Sequence, residues 1–181
     1  MAGAAAGADI ARDPRRTPLP PTAGKPAAGP CSEAVPSGTV TVPGVTTPPP
    51  DWLPPDSISP LDDKLGIRIV DFDPDRLVAT MPVKGNEQPY GLLHGGATCA
   101  LAETVGSWAA ALAAGPQRQV VGIELNVSYL RAATEGTVTA VCTPVSRGRT
   151  LARFRIEISD EQGRPTADAR LSTFTRELRE G

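Results

Sequence analysis

Residues 95–114 read GGATCALAETVGSWAAALAA: twenty residues with eight Ala, no Pro and no run of β-branched side chains, followed directly by Gly115-Pro116. Ala is the strongest helix former, and a glycine followed by proline is a helix stop. The stretch predicts one helix of about 28 Å at 1.5 Å per residue. Glu103 is its only charge, so the expectation is a core helix, buried nearly all round, whose small side chains let other backbones come close.

Downstream of this helix the chain reads as strand after strand. The segments QVVGIELNVSYLR, GTVTAVCTPVSR, TLARFRIEISD and RPTADARLSTFTREL are rich in β-formers and are separated by short turns at 132–136, 147–148 and 161–163. In the third segment Phe154, Ile156 and Ile158 point one way while Arg153, Arg155 and Glu157 point the other, as in a sheet with one wet face. Upstream, LGIRIVDFD and RLVATMPV flank an Asp73-Pro74-Asp75 turn and predict a β-hairpin. Leu65, Ile67 and Ile69 share one face of its first strand, and the loose alternation there implies a bulge. KGNEQPYGL then reads as a loop. Long antiparallel strands with one central apolar helix define an α+β layer, a sheet curled around a helix.

Composition bounds the rest. Of 181 residues 20 are Pro and 18 Gly, and thirteen of those Pro with six Gly lie in residues 1–55, whereas all seven aromatics lie beyond Pro50. Such a stretch cannot bury enough surface to offset the entropy of ordering its backbone. We therefore expect a disordered Pro/Ala/Gly-rich arm over 1–60 and one folded domain over 61–181. The net charge of −2 is spread evenly and lacks the basic footprint of a nucleic-acid binder, so no nucleic acid is expected as partner. No apolar run free of charge or Gly approaches the ~18 residues of a membrane span, and the first residues carry no leader pattern. A cytoplasmic protein with no membrane partner is the expectation. Three Cys without short spacing and a single His argue against a Cys/His zinc site, and no metal is expected.

Chemistry must then rest on few groups. Burying an unpaired carboxylate costs several kcal/mol, so Glu103 should be paired, protonated or facing a wet pocket. No Lys or Arg lies in its helix, while Ser107, four residues on, shares its face. Either Glu103 is a site residue or it bonds across a subunit interface. LLHGGA at 92–97 places two glycines at the helix start, where backbone N–H groups carry the positive end of the dipole and can stabilise an oxyanion. Glycines there also serve packing alone, and a His94 ring that caps the helix or packs at the loop is the alternative reading. Tyr129 and Trp108 can line an aromatic pocket or pack in the core. Arg131, Arg147 and Arg149 can bind phosphate or sit solvated at strand edges.

The segment QPYGLLHGGATCALAETVGSWAA, together with VVGIELNVSYLR, EGTVTAVCTPVSRGRT and EISDEQGR, closely resembles the hotdog-fold acyl-CoA thioesterases. The likeness is to the phenylacetate-pathway and 4-hydroxybenzoyl-CoA type, most of all the 1,4-dihydroxy-2-naphthoyl-CoA hydrolases of menaquinone biosynthesis. It runs from about Leu65 to Leu178. It implies that Glu103 is the catalytic carboxylate, as nucleophile or general base, and that the Gly95 N–H is the oxyanion donor. It also implies that His94 and Gln88 lie near the thioester carbonyl and that Ser107 positions the water or the carboxylate. Tyr129, Trp108, Arg131, Arg147, Gly148 and Arg149 are the expected substrate contacts, Gly148 letting its turn approach a pyrophosphate. No cofactor is implied, coenzyme A being part of the substrate. Self-association as a homodimer or homotetramer, a dimer of dimers, is implied because in related dimers the helix N-terminus and the Glu of one site come from different subunits. A broad phenylacetyl- or medium-chain acyl-CoA thioesterase and a non-catalytic acyl-CoA-binding module stand as alternatives.

Overall fold

In the computed structural model, whose described residues are 47–53 and 59–178, the chain runs α1 (Pro60–Leu65), β1 (Arg68–Asp71), β2 (Leu77–Pro82), α2 (Gly95–Ala114), β3 (Arg118–Tyr129), β4 (Thr137–Arg147), β5 (Leu151–Ser159) and β6 (Pro165–Glu177). The expected core helix is α2, with the bounds read from sequence. His94 caps its start in an extended conformation, ψ 131°, and the ring Nδ1 accepts the Gly96 N–H at 2.8 Å. Gly115, at φ +81°, turns the chain away at the other end, and its N–H donates to the Ala111 carbonyl at 3.0 Å. The arm expected over 1–60 lies largely outside the described residues. At its described end, the Thr47 carbonyl accepts the Phe72 N–H at 3.0 Å and the Thr47 N–H donates to Asp71 Oδ1 at 3.0 Å.

The sequence reading put Leu65 in the first strand; it instead ends α1. Ser59 Oγ accepts the Asp62 N–H at 3.1 Å, Pro60 opens the helix and Gly66, at φ +68°, closes it. Ser, then Pro at the first helical position, then Gly past the end are start and stop signals, masked by an apolar alternation that begins at Leu65 and passes through Gly66. The bulge is present, between Ile69 and Asp71.

Six antiparallel strands form one sheet in the order β1-β2-β4-β5-β6-β3. Phe154, Ile156 and Ile158 of β5 are buried while Arg153, Arg155 and Glu157 are exposed, so the period-two reading holds residue by residue. The sheet packs its inner face on α2, and small helix residues make this close: a Cβ added at Gly106 would stand 2.5 Å from Leu171 Cδ2. Burying a ring such as that of Phe154 contributes about 1.5–3 kcal/mol.

The helix is buried on one side rather than all round. Leu101, Ala102, Val105 and Ala109 face the sheet, whereas Ala100, Glu103, Ser107 and Ala111 form a partly open stripe. Its length and Ala-rich composition also make α2 apolar enough to cross a membrane, contrary to the sequence reading, because a single charge barely lowers its mean hydropathy. Here that apolar content is divided between the face on the sheet and the partly open stripe. One feature of the sheet bears on the site. The twelve residues of β3 pair only with β6 among the described strands, leaving an edge that exposes Val121, Ile123, Tyr129 and Leu130.

Candidate active site

The loop before α2 is fixed by Asn86. Its side chain donates to the carbonyls of Leu65 (2.7 Å) and Pro82 (2.9 Å), and its own carbonyl accepts the His94 N–H at 2.8 Å. This anchoring presents His94 as the cap. A ring accepting at Nδ1 carries its proton on Nε2. With the Gly96 N–H taken by the His94 ring and the Thr98 N–H by the His94 carbonyl, no acceptor among the described residues takes the Gly95 N–H. That donor stands at the positive end of the helix dipole.

Around it lies a cavity of about 470 Å³ lined by Gln88, Gly95, Thr98, Tyr129, Leu130 and Arg131, among others. The Tyr129 hydroxyl donates to the Gly95 carbonyl at 2.9 Å and lies 3.1 Å from Cys99 Sγ. The bond with the Cys99 thiol, then burial, pushes the Tyr129 hydroxyl up to about 12, so it remains a protonated donor. The ring sits so near the helix start that a Cβ at Gly95 would stand 2.9 Å from its hydroxyl oxygen. Gly95 is thus pinned by its carbonyl while its N–H stays free.

Glu103 lies eight residues further along, about 12 Å at helical rise. Burial raises its carboxyl above the usual carboxylate range, and the Ser107 hydroxyl, donating to Oε1 at 3.5 Å, partly offsets this. The carboxylate rests over Gly122 of β3, where an added Cβ would fall 2.1 Å from Oε1. Trp108 packs edge-on against Phe72, ring centroids 6.4 Å apart, and borders a recess of about 210 Å³ with Ser107, Ala111 and Val120.

The three remaining expected contacts gather at the β4–β5 hairpin. Arg147 donates to Asp75 Oδ1 at 2.6 Å and to the Pro74 carbonyl, so its guanidinium ties this hairpin to the β1–β2 turn. Gly148 closes the hairpin: its N–H donates to the Leu151 carbonyl at 2.8 Å, and an added Cβ would meet that same oxygen at 2.8 Å. The Arg149 carbonyl accepts from Arg118 at 2.8 Å. Gln88, Gly95, Tyr129 and Arg131 are therefore gathered on one cavity with His94 as cap, Glu103, Ser107 and Trp108 form a second group, and Arg147, Gly148 and Arg149 a third.

Sequence reasoning passed over Gly122. An isolated glycine inside a strand pattern signals a bulge or a close approach, and Gly122 has both, since the β3–β6 register shifts between Gly122 and Glu124. Cys99 gave no signal of its own.

A single long helix laid against one antiparallel sheet, with a half-buried carboxylate on the helix and a free N–H at its start, defines the hotdog class of thioester hydrolases. The profile of the thioesterase superfamily matches residues 90–167. The 1,4-dihydroxy-2-naphthoyl-CoA hydrolase of Escherichia coli is 46% identical over 110 residues, 60% of this chain and 81% of that protein. The proofreading thioesterase EntH of Cronobacter turicensis is 47% identical over 118 residues, 65% of this chain and 86% of that protein. Among solved structures, a thioesterase of Haemophilus influenzae superposes with a TM-score of 0.64 at 40% identity, covering 66% of this chain and 85% of the other. The chain belongs to the thioesterase superfamily and is a thioester hydrolase.

Proposed function

We propose that this enzyme hydrolyses an aromatic acyl-CoA thioester to the free acid and coenzyme A, in an active site shared between two copies of the chain. One observation carries this reading: the free Gly95 N–H and the Glu103 carboxylate lie about 12 Å apart on one helix, too far for both to touch one carbonyl group. A second copy closes the gap. The free β3 edge, with its exposed Val121 and Ile123, suits antiparallel pairing with itself. A register that sets Gly122 opposite Tyr129 of the partner subunit brings Glu103 toward Gly95 of the partner subunit, because Gly122 underlies the carboxylate and Tyr129 bonds to Gly95. Pairing of two such dimers would give the tetramer.

In this mechanism the partner's Gly95 N–H binds the thioester oxygen and stabilises the oxyanion formed on attack. Glu103 either attacks the carbonyl carbon or takes a proton from the attacking water, and its raised pKa suits a base working near neutral pH. Gln88 flanks the carbonyl, His94 holds the N-terminal turn and Ser107 holds the carboxylate. Sulfur conjugates poorly with a carbonyl and leaves readily, so one carboxylate and one oxyanion donor suffice, with neither metal nor cofactor. Tyr129 and Trp108 bound the space for the acyl group, and Arg131, with Arg149 at the hairpin, is available to phosphate. The reaction is assigned to the cytoplasm.

The similarity to a 1,4-dihydroxy-2-naphthoyl-CoA hydrolase makes the bicyclic aroyl-CoA, and with it menaquinone biosynthesis, the first candidate. A broader aryl- or acyl-thioester specificity is the second reading, favoured by the comparable identity to a proofreading thioesterase. Thiol release from 1,4-dihydroxy-2-naphthoyl-, benzoyl-, phenylacetyl- and linear acyl-CoA separates the two. A preference of at least tenfold in kcat/KM for the naphthoyl ester supports the first, and a flat profile supports the second. Glu103→Gln should abolish release while leaving assembly intact; full turnover by that variant contradicts the mechanism.

A further inference from the structure

The Tyr129 hydroxyl carries one hydrogen and has two neighbours, the Gly95 carbonyl oxygen at 2.9 Å and Cys99 Sγ at 3.1 Å. A carbonyl only accepts, so the hydroxyl hydrogen goes to Gly95. The thiol S–H is then the donor in the second bond, and the hydroxyl oxygen accepts it. Cys99 stands four residues past Gly95, so both partners lie on one face of α2 and the hydroxyl is oriented from both.

This clasp holds the loosest part of the helix. Gly95 and Gly96 open α2, and glycine restrains its backbone least of all residues. Upstream of the Gly95 N–H the chain is fixed by the His94 N–H donating to the Asn86 carbonyl at 2.8 Å. Downstream it is fixed by the Tyr129 hydroxyl on the Gly95 carbonyl, from a residue 34 positions away in sequence. No other hydrogen bond from the sheet reaches Gly95 or Gly96 among the described residues. Tyr129 is the last residue of β3, so the bond ties the helix start to the strand on which two copies are proposed to meet.

We infer that Tyr129 is a positioning residue for the oxyanion donor: its hydroxyl clamps the Gly95 backbone to the end of β3, and the Cys99 thiol orients that hydroxyl. The inference rests on the reading of the Gly95 N–H as the oxyanion donor. It gives the hydroxyl a task separate from bounding the acyl group, with an effect on turnover that does not depend on which acyl group is bound.

The test measures kcat and KM on benzoyl-CoA and hexanoyl-CoA for Tyr129→Phe, Cys99→Ala, Cys99→Ser and the double variant Tyr129→Phe/Cys99→Ala. Phenylalanine keeps the ring and removes the clamp, so kcat should fall about three- to tenfold, the worth of one hydrogen bond. KM should stay within about twofold, and the factor in kcat should be the same for both esters. Cys99→Ala should cost about twofold, because a thiol is a weak donor, and Cys99→Ser should restore the loss. In the Tyr129→Phe background Cys99→Ala should cost nothing further, since the thiol acts through the hydroxyl. Wild-type kcat in Tyr129→Phe, a loss confined to one ester or to KM, or an undiminished Cys99→Ala effect beside phenylalanine overturns the inference. Equal rates for Gly95→Pro and Gly95→Ala would instead overturn the reading beneath it, so the two failures are distinguishable.

Discussion

Replacing Gly95 by proline removes the proposed oxyanion donor with little else disturbed. Gly95 is the first helical residue of α2, where proline is favoured because its missing N–H has no helical partner. His94 already has the extended conformation that a residue before proline requires, φ −67° and ψ 131°. The steric cost is readable: an added Cβ meets the Tyr129 hydroxyl oxygen at 2.9 Å and ring atoms at 3.1 and 3.3 Å, so the ring must yield a few tenths of an ångström. Gly95→Ala carries the same Cβ with the N–H intact and isolates that cost. Loss of one oxyanion donor costs about 10²–10³ in kcat, some 2.7–4 kcal/mol of transition-state stabilisation. In a thiol-release assay Gly95→Pro should therefore fall about a hundredfold or more below Gly95→Ala, with matching helical circular dichroism. Equal rates for the two folded variants would refute the assignment of the N–H.

Other substitutions separate chemistry from architecture. If the Glu103 carboxylate is the working form, kcat/KM should rise with pH through a limb lying above the ordinary carboxylate value, and Ser107→Ala, which removes the lowering influence, should move that limb to higher pH. The same raised pKa favours the protonated folded state, a contribution fully present below the unfolded carboxyl value and lost as pH rises through the folded one. Glu103→Gln should therefore melt higher than the native chain near neutral pH and gain nothing in acid below that window. Arg147→Ala should lower the melting temperature while leaving KM for the CoA ester within about twofold, since its guanidinium is tied to Asp75 and Pro74. Gly106→Ala should cost about 1–3 kcal/mol in chemical denaturation, because the new methyl collides with Leu171.

The core helix was legible because its signals are local: Ala content, the absence of Pro, and Gly115-Pro116 after it. β5 was legible for the same reason, its alternation needing no partner to be read. α1 was passed over because its last residue, Leu65, also opens the apolar alternation Leu65, Ile67 and Ile69. Glu103 stood out as one charge in an apolar helix. The groups around it did not, because their relevance depends on register. Gly122 matters through its contact with the carboxylate on the helix. Arg147 illustrates the converse. Beside Gly148 it looked like a phosphate contact, and only the fold reveals its carboxylate partner 72 residues away in sequence.

The central claim is that one active site draws Glu103 from one subunit and the Gly95 N–H from another, and subunit mixing tests it directly. Glu103→Gln and Gly95→Pro should each be nearly inactive alone. After dissociation and reassociation at equal ratio, half the dimers are mixed and each carries one site with both groups intact, so thiol release should recover to about a quarter of the wild-type rate. Mixtures that are demonstrably hybrid but remain as inactive as their parents would contradict the claim.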